Sequence, residues 1–249
     1  MPFIYEKICC QTPHNFNHVA RDYVVVKAIF NNSNSQLERV RKKAWSLAAS
    51  VNPYKANNAT QPRERERLIL DALGGVLAEE AWLYYLLRRY GKNAASFTPF
   101  NGANGQIDIV LDNGKSIEIR SSFPRNGIKF AICHERYNFK NICKYENLYK
   151  PSEADKDFFG CVLFETPKEK LNSDNEIVLY LIGGSTKAMM LDPSLSFRNA
   201  LVAEGDLTEQ KTDYQVVYLK DALDMIGFEE YMASMGYQKK QPIPLNTVF

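Results

Sequence analysis

The sequence predicts a mixed α/β protein in which a central β-sheet is flanked by helices. Three observations lead there. Helical spacing dominates the chain up to Tyr90, strand spacing takes over from Phe97 and closes in a hairpin, and two short apolar runs beyond it suit strands covered on both faces.

Residues 22–30, Asp-Tyr-Val-Val-Val-Lys-Ala-Ile-Phe, are β-branched and aromatic, which fits either a strand or the start of a buried helix. Asn31-Asn-Ser-Asn-Ser35 is a break that offers a helix cap. Gln36 to Ser50 reads as a helix: Leu37, Val40, Ala44 and Leu47 recur at helical spacing, and the other face carries Arg39, Arg41, Lys42 and Lys43. Asn52-Pro53 ends it, and 54–61 is loop. Pro62 suits a first helical turn, and the next helix runs from Arg63 to Tyr90, where Gly91 stops it. Its start, Arg63-Glu-Arg-Glu-Arg67, belongs in solvent. From Leu68 to Leu87 it is apolar around most of its circumference and is expected to be buried, interrupted by the adjacent carboxylates Glu79 and Glu80.

From Phe97 the period is two. Ile107, Ile109 and Leu111 alternate with Gln106, Asp108 and Val110, and Ile117 and Ile119 alternate with Ser116, Glu118 and Arg120, around the turn signal Asp112-Asn-Gly114. Phe158-Phe-Gly-Cys-Val-Leu-Phe164 and Ile177-Val-Leu-Tyr-Leu-Ile182 are the two interior strands. Leu219 to Met235 reads as helix, and the tail from Gln238 as irregular. The division expected is an N-terminal basic, mainly helical extension over 1–62 and an α/β core with a C-terminal helical segment over 63–249.

Composition is ordinary for a globular protein, at 45% hydrophobic and 24% charged residues. No apolar stretch approaches the roughly 20 residues that span a bilayer. The N-terminus lacks a basic start followed by an apolar core, so a cytoplasmic protein without membrane contact is expected. Five scattered cysteines argue for reduced thiols rather than a disulfide framework. Cys9, Cys10, His14 and His18 lie near one another but lack the paired Cys-x-x-Cys spacing of a zinc site. The net charge of +2 is unevenly distributed: residues 1–95 hold 14 Lys and Arg against 8 Asp and Glu, and the remainder holds 17 against 21. A basic first part suggests an anionic partner there.

The hairpin is where chemistry concentrates, and its loop length decides which side chains share a face. A two-residue Asn-Gly loop puts Asp108 and Glu118 on opposite faces. A three-residue loop, Asp112-Asn113-Gly114, pairs Leu111 with Lys115 and sets Asp108 opposite Glu118, on one face with Arg120 and Ser116. Ile107, Ile109, Ile117 and Ile119 then share the other face. Gly114 stands where this loop needs a left-handed residue, and this register satisfies both faces. Two carboxylates about 5 Å apart at Cβ repel unless a proton or cation lies between them. Oxygen-only ligands favour a hard ion, Mg²⁺ or Mn²⁺.

With these residues in place, the chain resembles the PD-(D/E)XK nuclease superfamily, the restriction endonuclease-like fold, over roughly residues 66–190. Asp108 matches its first acidic residue, Glu118-Ile-Arg120 its (D/E)-x-K element, and Leu77-Ala-Glu79-Glu80-Ala-Trp82 the helix that often supplies a further metal-binding Glu. Phe158–Phe164 and Ile177–Gly184 match the core strands that follow. The resemblance implies Mg²⁺ held by Asp108 and Glu118 with Glu79 (or Glu80) as a further ligand, and a catalytic role for Asp108, Glu118 and Arg120. The resemblance implies phosphodiester hydrolysis but says little about substrate; the basic extension and the lack of a helicase or ATPase motif suit a type II restriction-type endonuclease acting on double-stranded DNA. Cutting both strands then favours a homodimer. Phosphate contacts are expected from Arg39, Arg41, Lys42, Lys43, Arg63 and Arg65, with Arg67, Asn57, Asn58 and Gln61 nearby. Arg120 departs from the usual lysine. Arginine stays protonated and is a poor base, so Lys115 or Lys129 is a candidate to assist, and the alternative is a nucleic-acid-binding protein that keeps the fold with impaired catalysis.

Overall fold

The computed structural model describes residues 1–10, 21–32, 35–50, 63–99, 107–134, 139–145, 153–202, 211–239 and 243–249. Its largest feature is a seven-stranded mixed sheet, in the order β1-β2-β8-β7-β5-β4-β3. These strands are β1 (Phe3–Ile8), β2 (Tyr23–Asn31), β3 (Ala95–Phe97), β4 (Ile109–Leu111), β5 (Ser116–Ser122), β7 (Phe158–Phe164) and β8 (Glu176–Thr186). Neighbours run antiparallel except β5 and β7, which are parallel and are linked through helix α3 (Ile128–Cys133) and strand β6 (Lys140–Tyr145). A second, three-stranded sheet joins β6 to β10 (Thr212–Tyr218) and β9 (Ser196–Leu201).

Two apolar clusters cover the two faces of the large sheet. On one face, α1 (Gln36–Ser50), α2 (Arg65–Tyr90) and α5 (Met225–Ser234) bury Leu37, Val40, Leu73, Leu77, Trp82 and Phe228 against Ile109, Ile117, Phe158 and Leu179. On the other, α3 and the small sheet bury Ile132, Cys143 and Val217 against Tyr23, Phe159, Leu163 and Ile182. This is why β7 and β8 are apolar on both sides and read as continuous runs. The short helix α4 (Lys187–Leu191) follows β8 directly.

The N-terminal segment departs from the expected helical extension. β1 and β2 are integral to the sheet, with Val26 paired to Leu181 and Ala28 to Leu179 of β8. The β-branched run at 23–30 is a strand because it lies between two others and buries both faces. α1 keeps its expected bounds, but Ala48 takes the buried position and Leu47 is exposed. The tail is also ordered at its end: Phe249 exchanges backbone hydrogen bonds with Phe3, and Asn246 N–H donates to the Tyr5 carbonyl. The outer edge of β1 is thereby covered. Cys10 and Cys133 are disulfide-bonded, against the expectation of reduced thiols, while Cys9, Cys143 and Cys161 are free. Proximity across 123 residues of sequence is invisible to cysteine spacing. His14, His18, Asn57, Asn58 and Gln61 lie outside the described residues. Among the described residues, no helix is long and apolar enough to cross a membrane.

Candidate active site

The hairpin of β4 and β5 adopts the three-residue loop. Ile109 pairs with Ile117 and Val110 with Ser116. Leu111 N–H donates to the Lys115 carbonyl at 2.8 Å and Gly114 N–H to that of Leu111 at 2.9 Å. Gly114 has φ +83°, the left-handed conformation this turn requires. Asn113 Oδ1 accepts from Lys115 N–H and closes the loop. The register therefore carries Asp108 to the position opposite Glu118.

β4 ends there. In an unbroken ladder the Ile119 N–H would go to the Ile107 carbonyl. Instead it donates to Asp108 Oδ2 at 2.7 Å, and the Ile107 carbonyl accepts from the Thr98 hydroxyl. The strands part at Asp108, and its carboxylate fills the gap. Ile117 and Ile119 turn toward α2, where Ile119 lies against Trp82 at Gly160. Glu118 and Arg120 alternate with them and point to the opposite face.

Arg120 bridges two buried carboxylates. Its Nη1 lies 2.9 Å from Glu118 Oε1, and its Nη2 lies 3.1 and 3.3 Å from the two oxygens of Glu153. The guanidinium stacks over the Tyr145 ring at 4.6 Å, and Tyr145 N–H donates to Glu153 Oε2 at 2.9 Å. The carboxylates of Glu118 and Glu153, with the Tyr145 and Asp108 side chains, hold the Arg120 pKa far above its ordinary value, against the opposing effect of burial. This arginine does not titrate.

Glu79 comes from α2. Burial and the nearby Asp108 carboxylate, with Glu118 and Glu80 adding to them, push its pKa up to about 8 in spite of Lys43. Glu79 is thus the helix carboxylate that shares a field with Asp108 and Glu118. Glu80 is buried and faces α1, with Arg39 at 3.5 Å and Lys43 at 3.7 Å. Lys43 stands 3.9 Å from Glu79 and over the Phe97 ring at 4.2 Å. Among the described residues, no group of three or more His, Cys, Asp or Glu side chains is arranged to hold a metal ion. In the conformation described, Glu118 is turned onto Arg120 and Asp108 onto the Ile119 amide. The donor set is nonetheless all carboxylate, which is the chemistry a hard divalent cation takes.

The predicted phosphate contacts have varied surroundings. Arg39 also donates to the Tyr84 hydroxyl at 2.6 Å. Arg41 anchors α1 to backbone, donating to the carbonyls of Leu171 at 3.0 Å and Asp174 at 2.5 Å. Lys42 pairs with Glu38 one turn earlier at 3.6 Å. Arg63 is half-buried and pairs with Asp71, which also binds Lys168. Arg65 is exposed at the start of α2. Lys115 pairs with Asp157 at 2.8 Å beside the turn, and Lys129 is exposed on α3. The ammonium group that lies beside Glu79 is instead that of Lys43. Sequence reasoning missed Glu153 and Tyr145. The one signal for them was Arg120 itself, since a guanidinium on a buried strand needs its charge compensated.

Comparison with protein-family models, curated proteins and solved structures found no match to this chain.

Proposed function

We propose that this chain is a divalent-metal-dependent nucleic-acid phosphodiesterase of the PD-(D/E)XK type, acting on double-stranded DNA as a restriction-type endonuclease. The observation that carries the reading is the hairpin register that sets Asp108 opposite Glu118; burial, with the charge of these two carboxylates added to it, pushes Glu79 of α2 up to about 8. The order of helix carboxylate, Asp hairpin, Glu-x-basic strand and two apolar strands supports it.

Asp108, Glu118 and Glu79 would hold Mg²⁺ or Mn²⁺. When bound, such an ion lowers the pKa of water and stabilises charge developing on a phosphate. The chain's own groups do the positioning. The Ile119 amide fixes Asp108, and Arg120 fixes Glu118. Arg120 keeps its proton, so it stabilises negative charge and does not act as a base. Lys43, with 44% of its side-chain surface exposed, is placed to take a phosphate oxygen beside Glu79. Two such sites in a homodimer would serve the two strands.

A second reading has a specific observation behind it. Both edges of Arg120 are taken by carboxylates, which suits a protein that binds nucleic acid without cutting it. Cleavage of plasmid DNA with and without Mg²⁺ separates the two. The nuclease reading expects metal-dependent nicking or linearisation by the wild type and none by Asp108→Ala or Glu118→Ala. Binding without cleavage across metals and sequences leaves the binding protein, and failure to bind or cut any nucleic acid removes both. A cytoplasmic setting goes with this substrate. Thiols there are kept reduced, so the proposal requires the fold to survive loss of the Cys10–Cys133 bond.

A further inference from the structure

Arg120 is the point at which the chain departs from the family it resembles, and its surroundings give that departure a physical reason. A lysine here would present one ammonium and could satisfy Glu118 or Glu153, but not both with fixed geometry. A guanidinium presents two edges and a flat face. One edge is on Glu118 at 2.9 Å and the other on Glu153 at 3.1 Å, while the face covers Tyr145 at 4.6 Å. Glu153 is itself tied down, because its Oε2 accepts the Tyr145 N–H, and only 2% of its side chain is exposed. A buried carboxylate that is not one of the three proposed ligands is costly unless its charge is compensated, and Arg120 compensates it.

We propose that Glu153 is a positioning residue of the carboxylate site: it draws one edge of Arg120 away from Glu118, so that Glu118 is oriented by the arginine without being neutralised by it. The inference rests on the metal-site reading above. With both carboxylates charged, the guanidinium divides its charge between them, and Glu118 keeps net negative charge to offer a cation. With Glu153 neutral, Arg120 serves Glu118 alone, and Glu118 becomes a weaker ligand. Outer partners of metal ligands act in this way and are worth on the order of tenfold or more in metal affinity.

The test is calorimetric titration of Mn²⁺ into the full chain without DNA, comparing wild type with Glu153→Gln, Arg120→Lys and the double variant. Glutamine can still accept from the Tyr145 amide, so its local hydrogen bond survives. Glu153→Gln should weaken Mn²⁺ binding on the order of tenfold while its melting temperature in the absence of metal moves little. In the Arg120→Lys background the same change should have a much smaller effect, because there is no fork to divide. If Glu153→Gln fails to fold, Tyr145→Leu removes the ring beneath the guanidinium and neither charge, and should weaken Mn²⁺ binding about tenfold, at the low end for such outer partners. Unchanged affinity in Glu153→Gln, or in Tyr145→Leu where that variant stands in, overturns the positioning role and leaves the metal site standing. So does an equal loss in the wild-type and Arg120→Lys backgrounds. Wild type that binds no Mn²⁺, or binds it equally after Asp108→Ala, overturns the metal site and the positioning role with it.

Discussion

Glu79→Gln tests the burial and charge crowding of Glu79 without needing a substrate. In the folded chain the carboxyl is pushed from its ordinary 4.5 up to about 8, so between these values the folded state holds a proton that the unfolded state has lost. Stability then falls as pH rises through that window. The full gap would correspond to about 5 kcal/mol. Glu79 keeps 25% of its side-chain surface exposed, and solvent screening brings a realistic figure to about 2 kcal/mol. The glutamine variant carries no such penalty. It should match wild type near pH 4.5, gain on it steadily above, and be more stable by about 2 kcal/mol at pH 8.5. In a chain of this size that is about 4–8 °C in melting temperature. Unfolding followed by circular dichroism at several pH values, with metal removed by chelation, reads this directly. Mg²⁺ at about a hundred times its Kd should then stabilise wild type by about 2.7 kcal/mol at pH 8, and the variant by less. A stability difference that is flat between pH 5 and 8.5 would refute the raised pKa of Glu79, and with it one support for a cation at this place.

Arg120→Ala leaves the buried carboxylates of Glu118 and Glu153 uncompensated and should cost about 3–5 kcal/mol in urea unfolding, with Arg120→Lys costing less because it keeps a charge. Gly160→Ala would bring its Cβ to 2.9 Å from Ile119 Cδ1 and 3.0 Å from the Trp82 ring, an overpacking expected to cost about 1–3 kcal/mol by the same assay. Reducing the Cys10–Cys133 bond opens a 123-residue separation, for which chain entropy sets a ceiling of about 5 kcal/mol. The melting temperature should fall, yet the chain should remain folded at 37 °C if a reducing compartment is its place.

The parts of the fold legible in sequence are those specified locally. The hairpin register follows from turn chemistry and from two faces that agree only in one pairing, both contained within residues 107–120. β7 and β8 announce themselves as apolar runs because both of their faces are covered. What was not legible depends on distant partners. Whether 22–30 is strand or helix is decided by its pairing with β8, about 150 residues later in the chain by the register. β6, with the sequence Lys-Asn-Ile-Cys-Lys-Tyr, mixes polar and apolar residues without a run, and its strand character comes from β10. Of the candidate site, Asp108, Glu118 and Arg120 stand out by their spacing and Glu79 by resemblance. Glu153 lies 33 residues from Arg120 and has no motif to mark it.

The basic face of α1, which its charge alone assigns to an external anion, also has partners within the chain. Four cations within five residues look like a surface for an external anion. Arg41 instead holds backbone carbonyls, and Arg39 and Lys43 face Glu79 and Glu80 on α2. Yet the pairs with Glu79 and Glu80 are loose. Lys43 stands 3.9 and 3.7 Å from its two carboxylates, beyond ordinary hydrogen-bond length, and so is held by the field and not by a directed bond. A cation shared among Asp108, Glu118 and Glu79 would lessen the pull of Glu79 on Lys43, and the ammonium would be available to a phosphate at the same site. Metal and phosphate would then each favour the other through Lys43, which links the basic helix to the carboxylates without requiring the whole face of α1 to meet DNA.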